Sequence, residues 1–150
     1  MHLADFLDPS AICLDLQASS KDGVLYELVG LLGLDERSAP QLAKLLKRRE
    51  LLGSTGVGRG IAIPHCRSLA ISRLRLAFGI HKAGLEFEAV DQRPAHIFFL
   101  IVAPPVEVSN QYLPVLGRIA QLGQMPDVPE RLRGLAAPAE LFSLLEERFV

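Results

Sequence analysis

The segment Ala95-His-Ile-Phe-Phe-Leu-Ile-Val102 limits the fold more than any other stretch of the chain. It is almost continuously apolar, of strand length, and Pro104-Pro105 stops it. A strand with no polar side has no face to give to water, so this run predicts burial on both faces of a sheet. The longest apolar stretch, Ile97 to Val106, contains those two prolines. It falls well short of the ~18 uninterrupted apolar residues of a membrane span.

Around it the hydrophobic period switches between two and 3.6. Leu3 to Leu7 reads as a short turn, and Ala11 to Leu16 as a strand with Ile12, Leu14 and Leu16 on one face. Ser19 or Ser20 caps a helix that runs to about Leu32, with Val24, Leu25, Leu28, Leu31 and Leu32 inward. A second helix spans Ser38 to Leu52, turns Leu42, Leu45, Leu46 and Leu51 inward, and stops at Gly53. Gly60 to Ile63 predicts a brief strand that Pro64 must end or hold at an edge. Leu74 to His81 is an alternating strand, Glu86 to Val90 a short extended piece, and Asp91 to Pro94 a turn. Ser109 or Asn110 caps a helix to about Leu122, and Asp127–Leu135 and Pro138–Phe149 are two further helices. Strands interspersed with helices predict the α/β class, a single-domain sandwich with a mixed β-sheet flanked by helices.

At 150 residues and 49% hydrophobic content the chain can bury a sizeable core as one domain, residues 1–150. A net charge of −1 gives no general attraction for nucleic acid or anionic lipid, so neither is an expected partner. The N-terminus carries His2 and Asp5 and lacks a long apolar region, which points to a cytoplasmic protein. Two cysteines, Cys13 and Cys66, agree with a reducing compartment. The one local concentration of charge, Lys44-Leu-Leu-Lys-Arg-Arg49, reads as a solvated helix end whose cations complement the helix dipole.

Chemistry concentrates in Gly53-Ser-Thr-Gly-Val-Gly-Arg-Gly-Ile-Ala-Ile-Pro-His65. Glycines let a backbone approach an anion, and consecutive N–H groups can cradle phosphate oxygens. The stretch nearly fits the phosphate loop of nucleotide-binding proteins, but it lacks the lysine and the magnesium-binding hydroxyl and follows a helix. The dinucleotide pattern fails as well, since Gly56, Gly58 and Gly60 precede a strand. A structural helix-to-strand connection stays open, as does a cradle formed by Gly53, Ser54, Thr55, Gly56, Gly58 and Gly60. His65 follows directly. A neutral imidazole is a good nucleophile toward phosphorus when one nitrogen is free and the other donates to a carbonyl or carboxylate. Glu86, Glu88 or Asp91 is a candidate for that orienting acceptor, against a plainly solvated role. Phosphoryl transfer then needs in-line positioning and stabilised equatorial oxygens, which N–H groups and an arginine supply.

The string from Arg49-Glu50 through Gly-Ile-Ala-Ile-Pro-His65 resembles the active-site signature of the fructose/mannitol-type enzyme IIA domains of the sugar phosphotransferase system. That family includes the nitrogen-regulatory enzyme IIA proteins. The likeness covers essentially the whole chain in length and element order, including Leu100-Ile-Val-Ala-Pro104 and its following helix. It implies an enzyme IIA mannitol-like fold with His65 phosphorylated by an HPr-type histidine carrier. The group then passes to a IIB cysteine or serves as a regulatory signal. Arg49 matches an arginine that pairs with the phosphoryl oxygens, against the alternative of a helix-end cation. Ser54 and Thr55 match loop-shaping hydroxyls or phosphate contacts. Neither metal nor other cofactor is implied, because the phosphoryl group arrives activated on its carrier.

Two positions depart from the family pattern. Tyr112 stands where many members carry a second histidine, either as an auxiliary hydrogen-bond donor or as packing. Cys66 stands where a small residue is usual, either as an inert buried thiol or as a redox modulator of His65. His2, His81 and His96 have no ligand at zinc spacing. The reading is a phosphohistidine carrier of the nitrogen-regulatory kind. The alternatives are a sugar-transport IIA subunit and a docking module that is never phosphorylated.

Overall fold

The computed structural model describes residues 2–150. After a 3₁₀ turn at Leu3–Phe6, the order is β1 (Leu7–Cys13), α1 (Lys21–Gly30), α2 (Ser38–Leu51), β2 (Gly56–Gly58), β3 (Ile61–Ala62), β4 (His65–Arg67), β5 (Arg75–Leu85), β6 (Ala95–Ala103), α3 (Tyr112–Gln124), α4 (Val128–Arg133) and α5 (Pro138–Glu147). The six strands form one mixed sheet in the order β1-β5-β6-β3-β2, with β4 also on β6. β5 and β6 are antiparallel, with Phe78 opposite Phe99, whereas β1 runs parallel to β5 and β3 and β4 run parallel to β6.

β6 is the centre of the molecule. From Ile97 to Ala103 no residue exceeds 3% exposure, so both faces are covered as the apolar run requires. The helices α1 and α2 pack on each other and reach β5 and β4, while α3 and α4 reach β6 and β5. α5 closes against β1 and the opening turn. Edge-to-face pairs of Phe78 with Phe99 and of Phe87 with Phe98 fill the interior, with ring centroids 5.0 and 5.3 Å apart.

Local chemistry accounts for the helix ends. The Ser20 hydroxyl accepts the Gly23 N–H at 3.0 Å and starts α1. α3 begins at Tyr112, later than the Ser109 or Asn110 cap that the sequence predicts. Its free amides at Gln111 and Tyr112 are taken by the Glu107 carboxylate, four and five residues upstream.

β1 also differs from expectation, since it starts at Leu7 and ends before Leu14. Pro9 is tolerated because β1 is an edge strand. Leu16 lies past the strand and packs over Gly79, where a Cβ would come within 2.5 Å of it. Leu51, expected inward, is 79% exposed because the last turn of α2 carries it off the core face.

β3 and β4 follow one another along the same side of β6, with Pro64 interrupting the pairing; β2 lies outside β3, and β4 has β6 as its one partner strand among the described residues. Ile61 and Ala62 pair with Ile97 and Phe98, and pairing resumes with His65 opposite Ile101. Pro64 has no N–H to give to a ladder, although its carbonyl still accepts from Ile101 at 3.0 Å. The interruption turns the Ile63 carbonyl toward the side chain that follows.

Candidate active site at His65

That carbonyl is what fixes the imidazole. His65 Nδ1 lies 2.7 Å from Ile63 O, so the neutral ring carries its proton on Nδ1 and the lone pair on Nε2. Nε2 has no hydrogen-bond partner among the described residues and is not buried from solvent. Burial of the ring lowers its pKa below 6.5. The Ile63 carbonyl and Glu50 oppose this effect, and Arg49 adds to it. The neutral form is therefore held at physiological pH. The orienting group is a carbonyl two residues away, and the carboxylates of Glu86, Glu88 and Asp91 play no such part. Asp91 instead accepts the amides of Arg59 and Arg93.

Arg49 reaches the same place from the last turn of α2. Its Nη1 donates to the Gly53 carbonyl at 2.8 Å, which holds the guanidinium at the helix end where its charge acts on both His65 and Tyr112. The adjacent Glu50 points inward and is buried. Its carboxylate accepts the Thr55 N–H at 3.0 Å and the Thr55 hydroxyl, and it pairs with Lys21 Nζ at 3.2 Å. Lys21 in turn lies 4.6 Å from the centre of the Phe87 ring. Sequence reading did not single out Glu50 as a site residue, although it stands inside the signature string.

The glycine-rich stretch is an anchored hairpin, and most of its polar groups are already engaged. Ser54 donates to the Phe87 carbonyl and accepts the Gly56 N–H at 3.0 Å, so Ser54 and Thr55 both shape the loop. The amides of Thr55, Gly56 and Arg59 all have protein acceptors. Gly58 and Gly60 lie at the hairpin tip, where Gly60 O takes the amides of His96 and Ile97. Four residues of β6 separate Ile97 from Ile101, the partner of His65, or roughly 13 Å at 3.3 Å per residue. The Gly58–Gly60 end of the loop thus lies along β6 away from the His65 partner position. Ser54 and Arg59 turn toward residues 87–91, Thr55 toward Glu50 and Gly60 toward β6, while Gly53 meets Arg49.

Tyr112 does come to the site. Its ring centroid is 6.2 Å from that of His65, and the side chain is buried. Burial, reinforced by the neighbouring Cys66, pushes the phenol up to about 12, so it remains a neutral donor. Arg67, which the sequence reading did not single out, stacks 4.3 Å over the same ring and donates to the Pro104 carbonyl at 3.2 Å. The signal for it was its place two residues past His65 on a strand, which puts both side chains on one side. Cys66 packs against the core, and burial raises its thiol to about 12. The redox reading required a thiol that ionises readily beside His65 and Arg49, and burial has the opposite effect.

Comparisons with known proteins identify the family of the chain. The family described as "Phosphoenolpyruvate-dependent sugar phosphotransferase system, EIIA 2" matches residues 5–148. A nitrogen regulatory protein of Bradyrhizobium diazoefficiens is 32% identical over 149 residues, 97% of this chain and 95% of that protein. The fructose-specific EIIABC component of Bacillus subtilis is 33% identical over 136 residues, and the match spans 88% of this chain but only 21% of that longer protein. Among solved structures, the nitrogen regulatory protein IIA-Ntr of Neisseria meningitidis superposes with a TM-score of 0.85 at 29% identity, over 94% of this chain and 97% of that one. The IIA mannitol structure of Escherichia coli shares the fold, with a TM-score of 0.73 at 23% identity over 92% and 97% of the two chains. No helix among the described residues is long and apolar enough to cross a membrane. The chain belongs to the EIIA 2 family of the phosphoenolpyruvate-dependent sugar phosphotransferase system, with nitrogen regulatory proteins among its relatives.

Proposed function

We propose that the chain is a cytoplasmic phosphocarrier in which Nε2 of His65 accepts a phosphoryl group from an HPr-type phosphohistidine protein. The observation that carries this reading is the Nδ1 contact to Ile63 O, which leaves Nε2 nucleophilic and unpartnered. In the step, the Nε2 lone pair forms the new P–N bond as the donor's P–N bond breaks and its imidazole leaves with that electron pair. The His65 ring becomes cationic, keeps its Nδ1 proton, and is stabilised by the same carbonyl. Arg49 can swing from the Gly53 carbonyl to the equatorial oxygens, and the Tyr112 hydroxyl supplies one neutral hydrogen bond.

The nitrogen-regulatory role is the reading the comparisons favour, because a nitrogen regulatory protein matches nearly from end to end. The phosphoryl group adds nearly two negative charges beside Arg49, which changes the surface a regulatory target meets. Passage to a IIB cysteine is the transport counterpart of the same chemistry. Incubation with labelled phosphoenolpyruvate, the general phosphotransferase enzyme and its carrier tests the site. The label is expected on the parent protein and absent from His65→Ala. Label retained by His65→Ala refutes the assignment, and an unlabelled parent protein supports a docking module instead.

A further inference from the structure

The cations of α2 do not form one solvated face. Lys47 turns to α1 and pairs with Asp22 at 3.1 Å, and Arg49 folds back onto Gly53. Lys44 and Arg48, one turn apart on the same face, have neither an ion pair nor a hydrogen bond among the described residues. Both line a cleft of about 440 Å³ together with Arg67 of β4.

Gln41 and Ser68 add an amide and a hydroxyl, while Leu45, Leu69 and Pro105 form apolar walls, and among the described residues no carboxylate lines the space. Arg67 is steadied by the Pro104 carbonyl and the Tyr112 ring, which leaves most of its N–H groups free. Glu107 acts on Arg67 only from a distance, since its oxygens accept the Ser109 hydroxyl and the amides of Gln111 and Tyr112. Three cations around one concavity, without a counterion, repel one another, and like charges at i,i+4 weaken the helix that carries them. An oxyanion would reverse that repulsion, and guanidinium, ammonium, amide and hydroxyl are the donors that suit one. The volume falls in the range of small-molecule sites, and the apolar walls suit a carbon skeleton attached to the phosphate.

We propose that this cleft binds a small phosphorylated organic anion and that its occupancy is felt at His65 through Arg67 and Tyr112. The Tyr112 ring neighbours both the Arg67 guanidinium and the His65 imidazole, at 4.3 and 6.2 Å. A ligand that draws Arg67 toward the cleft changes what Tyr112 packs against and hence the surroundings of His65. The inference does not depend on His65 being phosphorylated, because binding is read on the unmodified protein.

The test is an NMR titration of the isotope-labelled chain with a sugar phosphate, a nucleoside monophosphate and phosphoenolpyruvate. Pyrophosphate and sodium chloride at matched ionic strength serve as controls. At least one phosphoester is expected to give saturable shifts at the amides of Lys44, Arg48, Ser68 and Leu69, with a dissociation constant of about 1 mM or lower. The ring signals of His65 should move in parallel. The double variant Lys44→Ala/Arg48→Ala, altered on an exposed helix face, should bind about tenfold more weakly. Binding of pyrophosphate as tight as that of every phosphoester, shifts reproduced by sodium chloride, or unchanged affinity in the double variant would each overturn the site. Saturation of the cleft with stationary His65 signals would overturn the coupling.

Discussion

The His65 ring is tied to the residue two before it: Nδ1 donates to the Ile63 carbonyl at 2.7 Å, across Pro64. Pro64 makes this contact available by interrupting the pairing with β6 between β3 and β4, and the contact decides which nitrogen can react. A tautomer set by backbone does not depend on the ionisation of any neighbouring side chain.

The pH behaviour of His65 follows from its surroundings. Burial first, and Arg49 after it, depress the pKa below 6.5 despite the Ile63 carbonyl and Glu50. The imidazole therefore stays neutral until the pH falls below 6.5, and its NMR titration midpoint should lie under that value. Arg49→Gln removes one of the lowering influences, so its midpoint should rise toward 6.5. A midpoint that falls in this variant contradicts the assignment of Arg49 to the His65 environment.

Glu50 should matter more to stability than its charge type suggests. Glu50→Ala leaves the buried Thr55 amide without its acceptor, and Lys21 keeps only the exposed Glu88 and the Phe87 carbonyl. Loss of the buried acceptor of a backbone amide costs about 1–3 kcal/mol, and the milder Glu50→Gln should cost less. Urea denaturation measures both. A Glu50→Ala protein as stable as the parent would mean that the tie between α1, α2 and the hairpin is unimportant.

Cys66 should be nearly inert in the folded protein. With its thiol raised to about 12 by burial, the thiolate fraction at pH 8 is about three orders of magnitude below that of a free cysteine. Iodoacetamide labelling of the Cys66 peptide, followed by mass spectrometry, should be slower by that factor than in denaturant. Peroxide should leave the rate of His65 phosphorylation unchanged. Rapid labelling of the native protein would restore the redox reading.

Two glycines should respond oppositely to alanine. At Gly56 a Cβ would lie 2.8 and 2.9 Å from the Cβ and Cα of Ala89, and a backbone atom cannot step aside. Gly56→Ala should cost about 1–3 kcal/mol. Gly117, inside α3, has nothing within 4 Å of the added carbon, so Gly117→Ala should stabilise by about 0.5–1 kcal/mol. Thermal unfolding gives the sign in each case, and a stabilised Gly56→Ala protein would show that the hairpin is loosely seated.

What was legible in the chain depended on how locally it was encoded. The unbroken run of β6 and the Ser20 cap of α1 are properties of neighbouring residues, and both stand where the pattern puts them. β2 and β4 have three residues each, too few for a period to register, and Pro9 hid the start of β1. The site divides in the same way. His65 and the need for an acceptor at its second nitrogen follow from chemistry and from the signature string. The engagement of the glycine loop does not, because its partners Phe87 and Asp91 lie 33 and 32 residues away in sequence. Arg67 gains its surroundings only when α3 brings Tyr112 beneath it.

The central claim is that Nε2 of His65 is the nitrogen that takes the phosphoryl group. After enzymatic phosphorylation of chain labelled with ¹⁵N in histidine, a phosphorus–nitrogen correlation spectrum reports the bonded atom directly. The account predicts a single coupling to Nε2 of His65, with Nδ1 still protonated. A coupling to Nδ1, or to any other histidine, would contradict it.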